Sequence, residues 1–238
     1  MRIPDWKWIL KWKVFYRIRH GRSLTRDYEL AVREALVPMF GDSFWDVGAN
    51  TGYYTFMLAK NFVQVTSFEP NPAAIEILNR KIRKHRIANV KLAPIALCDS
   101  PGRARLYLRT RVRERTIGSS NSLVIPPDEK DKVTPGQAGS VPTDYVEVET
   151  DTVDNLLGSQ RISLMKIDVE GAEFLVLAGA KRTLEEGRVD SMMIELHDER
   201  RKDELDSFLK DRHYRVRWLD YAPGSVVSRV LATLEKPR

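Results

Sequence analysis

Residues 44–58 read FWDVGANTGYYTFML. Apolar and aromatic residues bracket Asp46, two glycines sit around Asn50, and an apolar run follows. The short run up to Val47 has the pattern of a buried strand. Gly48 and Gly52 open the turn into a helix, where missing side chains let backbone approach a ligand. Asn50 tolerates left-handed backbone better than most residues. In an open parallel sheet, ligands sit beyond the carboxyl ends of the strands. An acid at this hinge therefore marks a candidate site.

Outward from that stretch the same alternation repeats. Strands are predicted at 44–47, 63–68, 90–97, 164–167, 191–196, 214–219 and 226–234. Helices are predicted at 25–40, 52–60, 72–85, 172–184 and around 205–209. Asn71 supplies an N-cap for the helix that starts with Pro72. This alternation predicts an α/β fold, a single doubly wound Rossmann-like domain over 27–238. Its sheet is expected to be mostly parallel and seven-stranded, with an antiparallel last strand. Residues 103–150 interrupt the alternation and read as an inserted hairpin, with a Pro/Gly-rich loop at 126–142.

The chain has 238 residues and 42% hydrophobic composition, which supports one sizeable core. Cys98 stands alone, which excludes a disulfide framework and predicts a cytoplasmic protein. No apolar run approaches the roughly 20 residues that span a bilayer, and the first residues lack a signal-peptide core. Net charge is +6, with eight Lys/Arg and only Asp5 among residues 1–26. The remaining 31 basic and 32 acidic residues nearly cancel, so the basicity belongs to the arm. Trp6, Trp8 and Trp12 alternate there with Lys7, Lys11 and Lys13. Two readings follow: peripheral contact with an anionic membrane inner face, or packing against another subunit of an oligomer. A body this neutral argues against a nucleic-acid partner.

Glu69 stands at the next strand end, twenty-three positions after Asp46. An acid about twenty residues beyond a glycine turn is a device for gripping ribose hydroxyls. Neither a dinucleotide fingerprint nor a phosphate loop is present, and an acid heading the loop suits a cationic ligand. S-adenosylmethionine carries a sulfonium, an amino group and a ribose diol.

The segments FWDVGANTGYYT, VTSFEPNP, ALCD, VETDTVDNLL, LMKIDVEGAEFLVLAGA and MMIELH occur in this order. The set resembles the FkbM-type methyltransferases, class I S-adenosylmethionine-dependent enzymes that methylate hydroxyls on sugars, polyketides and related molecules. The likeness implies that Asp46, Gly48, Asn50 and Gly52 cradle the methionine half of the cofactor. It further implies that Glu69 takes the ribose, that Ala96 and Leu97 flank the adenine, and that Asp168 belongs to the cofactor set. Asp99 reads as a turn former.

Asp168, Glu170 and Glu173 follow the fourth strand, and Glu195 and His197 close the fifth. Neighbouring strand ends bring these acids and one imidazole into one crevice. His197 is the expected general base, with Glu170 or Glu195 orienting it or binding substrate hydroxyls. A divalent cation on Asp168, Glu195 and His197 is the alternative. Glu173 reads equally as a helix-starting acid, and Lys166 as a partner for one of these acids. Asn121 and Ser122 read equally as substrate lining or as a polar turn.

The expected function is O-methylation of a sugar, glycan or related small molecule, with a lipid-linked glycan suiting a membrane-bound arm. The alternatives are RNA ribose methylation, encouraged by Arg103, Arg105, Arg109, Arg111 and Arg113, or a non-catalytic S-adenosylmethionine-binding module. IPPD at 125–128 does not form the tetrad used for base methylation.

Overall fold

A computed structural model describes residues 27–108, 122–123, 145–220 and 227–235. The basic arm, Asn121, Arg109, Arg111, Arg113, the 125–128 stretch and the 126–142 loop lie outside the described residues. The chain enters with α1 (Asp27–Leu36), followed by β1 (Gly41–Val47), α2 (Tyr53–Leu58), β2 (Phe62–Phe68), α3 (Pro72–His85) and β3 (Val90–Ala93). Then come β4 (Ala96–Leu97), β5 (Gly102–Tyr107), β6 (Tyr145–Asp151) and α4 (Val153–Leu157). The second half holds β7 (Leu164–Ile167), α5 (Glu173–Ala178), α6 (Lys181–Glu185), β8 (Ser191–Leu196), α7 (Lys202–Lys210), β9 (Tyr214–Asp220) and β10 (Ser228–Leu234).

Seven strands form one sheet in the order β3-β2-β1-β7-β8-β10-β9. All pairings from β3 to β8 are parallel, while β10 runs antiparallel to both β8 and β9. The last strand is therefore antiparallel, as expected, and it is inserted between its two predecessors. Strand order reverses direction between β1 and β7, and a doubly wound sheet opens its crevice at that switch. The sheet is buried on both faces. Met192, Ile194 and Leu196 of β8 pack with Val176, Leu177, Leu184 and Leu209. Met193 points the other way, into a cluster with Val32, Leu36, Phe44 and Leu58. Alternation of apolar residues into two cores makes this stretch continuously hydrophobic.

α3 starts as its sequence requires, with the Asn71 side chain accepting the Ala73 N–H at 3.0 Å and Pro72 at the first position. Two expected elements divide. The 90–97 strand breaks at Pro94, which has no N–H for a ladder, and Ala96–Leu97 pairs instead with Thr150–Asp151. β4, β6 and β5 form a separate three-stranded sheet, whose β5–β6 pair is the expected inserted hairpin. The 172–184 helix breaks near Gly179, where an added Cβ would overlap the Cys98 carbonyl. The chain passes too close to β4 there for any side chain.

Candidate active site

The turn after β1 carries three left-handed residues within five positions: Gly48 at φ 77°, Asn50 at 48° and Gly52 at 87°. It is pinned to β2, with Gly48 and Ala49 N–H both donating to the Phe68 carbonyl at 3.0 Å. The glycines serve packing. A Cβ on Gly48 would overlap the Asp168 carbonyl of the neighbouring strand end. One on Gly52 would lie 2.5 Å from the Phe56 ring and 2.6 Å from Leu78. For Gly52 the expectation of backbone exposed to a ligand is corrected, because Phe56 and Leu78 occupy the space where its side chain would be. Gly48 lines the cleft through its backbone, and Gly52 does not line it.

The cleft is walled by Gly48, Asn50, Glu69, Asn71, Ala96, Leu97, Asp168 and Glu170, among others. Glu69 is braced on both oxygens: Asn50 N–H donates to one at 2.6 Å, and Asn71 N–H to the other at 2.8 Å. Burial pushes its carboxyl above the usual range, and these two N–H groups only partly oppose that. Each oxygen keeps a lone pair for a ligand hydroxyl. Leu106 and Leu123 of the inserted segment add an apolar wall beside Ala96 and Leu97.

Beneath the cleft runs a buried polar spine. Asp46 is fully buried and does not line the cleft. Its carboxylate accepts the Thr55 hydroxyl and faces Lys166 Nζ at 3.6 Å. Direct contact with a methionine moiety is thus corrected to support from below. Lys166, only 2% exposed, also reaches Asp168 at 3.0 Å and donates to the Gly48 carbonyl at 3.2 Å. Burial alone would lower the Lys166 ammonium, but Asp168 and Asp46 outweigh it and hold the group above its ordinary value. Asp168 moves down: burial opposes this, but Lys166 and His197 overcome it.

At the other end of the cleft, His197 Nδ1 meets Glu173 at 2.9 Å and Nε2 meets Glu170 at 3.2 Å. Asp168 lies 4.0 Å from Nε2. Burial would lower the imidazole, yet hydrogen bonds to Glu170 and Glu173 outweigh it and push the group up to about 11. His197 is thus an imidazolium at neutral pH that donates from both nitrogens. It stands behind Glu170 and does not line the cleft. The expected neutral general base is corrected accordingly: two carboxylates clamp the ring in its charged form. Glu195 does not reach His197 with a hydrogen bond. Arg229 holds both its oxygens, at 2.9 and 2.6 Å. Burial and the charge of Asp168 nevertheless push Glu195 up to about 7, against the pull of Arg229.

A profile of the family described as the Methyltransferase FkbM domain matches residues 46–216, most of the chain. The chain belongs to the FkbM methyltransferase family. Methyltransferase 1 of Beauveria bassiana is 26% identical over 185 residues, covering 68% of each chain. Methyltransferase sdnD of Sordaria araneosa is 28% identical over 158 residues, covering 56% of this chain and 58% of that protein. Among solved structures, Methyltransferase FkbM from Methylobacillus flagellatus KT superposes with a TM-score of 0.57 at 15% identity. That match covers 84% of this chain but 46% of the other, so this chain spans about half the length of that relative. A Streptococcus mutans protein described as a candidate methyltransferase, solved in complex with SAH, matches at TM-score 0.50 and 13% identity. It covers 88% of this chain and 98% of its own. At these identities the structures establish the fold.

In this family member the cleft gathers Gly48, Asn50, Glu69, Ala96, Leu97, Asp168 and Glu170. Asp46, Gly52, Glu195 and His197 support it from behind or below. Arg229, Leu106 and Leu123 were not foreseen. Arg229 lies 34 residues from Glu195, and only the antiparallel β10–β8 register, Arg229 opposite Glu195, joins them. Ser122 is buried and bridges to Tyr107, so it belongs to the inserted sheet, outside the cleft lining. The expected cation set of Asp168, Glu195 and His197 is not assembled, because Glu195 is committed to Arg229. Asp168, Glu170 and His197 do offer atoms within 4.8 Å of one another. Lys166 already pairs with Asp168 and the His197 ring with Glu170, so a divalent cation would have to displace both contacts. No helix among the described residues is long and apolar enough to cross a membrane.

Proposed function

We propose that the chain is an S-adenosylmethionine-dependent O-methyltransferase acting on a hydroxyl of a sugar, glycan or related small molecule. The observation that carries this reading is one cleft with Glu69, braced by two N–H groups, at one end and Glu170, backed by an imidazolium, at the other. Around it stand the carboxylates of Asp46, Glu69, Asp168, Glu170, Glu173 and Glu195. Their cationic neighbours are Lys166, His197 and Arg229. Such an excess of negative charge favours a ligand carrying positive charge.

Glu69 would hold the ribose diol, the apolar patch of Ala96, Leu97, Leu106 and Leu123 the adenine, and the Gly48–Asn50 backbone the amino-acid portion. Bound S-adenosylmethionine would supply a methyl group on a sulfonium, open to in-line displacement by an acceptor oxygen. Glu170 orients the acceptor hydroxyl through a hydrogen bond. It takes the proton as that oxygen becomes positively charged on forming its bond to carbon, so a carboxylate is basic enough. His197 fixes the Glu170 carboxylate during the step. Asp168, tied to Lys166, keeps a negative charge near the site of bond exchange.

Calorimetry with S-adenosylmethionine, followed by mass spectrometry of candidate hydroxyl acceptors, tests the reading. The expected results are saturable heat and an acceptor heavier by one methylene. A folded protein giving no heat with millimolar ligand overturns it. We further propose a small-molecule or lipid-linked glycan as the acceptor, with the basic arm placing the enzyme at an anionic membrane surface. Flotation with anionic liposomes should then exceed that with neutral ones, and equal flotation removes the membrane from the proposal.

A further inference from the structure

Glu173 opens α5, a helix of six residues, yet its side chain is only 2% exposed. An acid that merely favours a helix start does so from the surface, and burying a carboxylate costs free energy unless it is matched. Glu173 is matched twice by one oxygen. Its Oε1 accepts the Gly171 N–H at 2.8 Å and meets His197 Nδ1 at 2.9 Å. The first contact grips the turn in which Glu170, a non-glycine residue, adopts φ 55°. The second fixes the ring that reaches Glu170 from the other side, at 3.2 Å. One buried carboxylate thus ties down both supports of the group facing the acceptor.

We propose that Glu173 is a positioning residue that orients His197 and, through it, the Glu170 carboxylate toward the acceptor oxygen. The proposal rests on the methyl-transfer reading above for the identity of the acceptor step. The contacts themselves do not depend on it. Among the described residues, charged groups that face the ring are Asp168 at the end of β7, Glu170 in the following turn, Glu173 on α5, and Glu195 on β8 with its partner Arg229 on β10. Among the described residues, only Glu173 is paired with Nδ1. Without it, the ring can rotate about its Cβ–Cγ bond, and Nε2 loses its aim at Glu170.

The test is nuclear magnetic resonance of the full chain labelled at the histidine ring nitrogens, in the wild type and in Glu173→Gln. The amide keeps an acceptor for Nδ1–H and removes the charge. In the wild type, both His197 nitrogens should be protonated at neutral pH with no titration near the ordinary histidine midpoint. In Glu173→Gln that midpoint should fall by at least about one unit, since a neighbouring carboxylate shifts a pKa by roughly one to three units. Affinity for S-adenosylmethionine should stay within about twofold, because Glu173 lies outside the cleft lining. A packing role without charge contact to the ring would lower stability and leave the ring's titration unmoved. Two outcomes overturn the proposal: an unchanged His197 midpoint in Glu173→Gln, or a wild-type His197 that titrates as a free imidazole. The second measurement stands even if the variant does not fold. Failure of S-adenosylmethionine to bind the wild type would strike the functional reading and leave these ring measurements valid, so the two failures are separable.

Discussion

Replacing Lys166 with methionine is the sharpest perturbation of this site. The side chain is 2% exposed and lies between Asp168 at 3.0 Å and Asp46 at 3.6 Å, where Asp46 is itself 1% exposed. Methionine matches the aliphatic stem, so the loss is electrostatic: two carboxylates remain in the interior with no cation between them. Removing one partner of a buried ion pair costs about 3–5 kcal/mol. Asp168 keeps 24% side-chain exposure, so solvent offsets part of its share and the lower end, about 3 kcal/mol, is expected. For a domain of this size that corresponds to a fall in Tm of roughly 6–12 °C. The pH dependence carries the diagnostic sign. Lys166 is held above its ordinary value and contributes stability below that value, throughout the working range. Asp168 is held below its ordinary 3.8, and its contribution is present above 3.8 and lost as pH falls through its lowered midpoint. In Lys166→Met the carboxylates are freed to protonate, so the urea-unfolding deficit should be larger near pH 8 than near pH 5. The double variant Lys166→Met, Asp168→Asn should recover part of the loss. A deficit under about 1 kcal/mol, or one that does not change with pH, would refute the account of Lys166 as the cation that pays for these acids.

Four further outcomes are expected. Gly48→Ala should destabilise by more than about 3 kcal/mol in urea titration, because left-handed strain adds to overlap with the Asp168 carbonyl. Arg86→Gly, at φ 50° on the C-cap of α3, should instead stabilise by about 0.5 kcal/mol; a loss there would show that the arginine side chain matters more than its backbone strain. Glu69→Gln should weaken S-adenosylmethionine binding by about 10- to 100-fold in calorimetry, the loss of hydrogen bonds to a charged acceptor, and unchanged affinity would remove Glu69 from the ribose site. For His197 the folded value is raised from 6.5 to about 11, so its stabilisation is full below 6.5 and fades as pH rises toward 11. The cost of His197→Gln should therefore shrink between neutral pH and about pH 10, and a constant cost would mean the ring is uncharged.

Much of this fold is written in local patterns. Asn71-Pro72 fixes the start of α3 by capping chemistry that needs no tertiary partner. The apolar run of β8 alternates between two cores, and either core alone would explain its burial. The Asp46-to-Glu69 spacing follows because one strand–helix–strand unit separates two strand ends. What stays hidden is whatever depends on a neighbour far along the chain. A sequence shows that Gly48 has no side chain, but only the pairing of β1 with β7 shows that the missing atom makes room for the Asp168 carbonyl. Glu195 reads as a free acid at a strand end until β10 folds back in register and presents Arg229. The charge on His197 likewise depends on Glu170 and Glu173 converging from a turn and a helix. Residue type suggests a base there, and surroundings make it an acid.

The two ends of the cleft are joined through Lys166. Its ammonium bonds the Gly48 carbonyl in the turn after β1 and Asp168 at the end of β7, the two strands that flank the switch point. The Asp168 N–H bond to the Val47 carbonyl, at 3.1 Å, is the last backbone rung between those strand ends, and a buried charge with three oxygen partners adds a side-chain tie beside it. In place of Lys166, a neutral residue would leave both acids uncompensated. The same residue thus sets the spacing between the turn proposed to hold the amino-acid portion of the donor and the acid beside the proposed acceptor. In-line displacement depends steeply on that distance, because an error of about 1 Å can cost on the order of a hundredfold in rate. A fully buried lysine in the middle of an apolar strand is costly to fold around, and its contacts with Asp46, Asp168 and the Gly48 carbonyl offset that cost where valine or isoleucine would leave two acids unmatched.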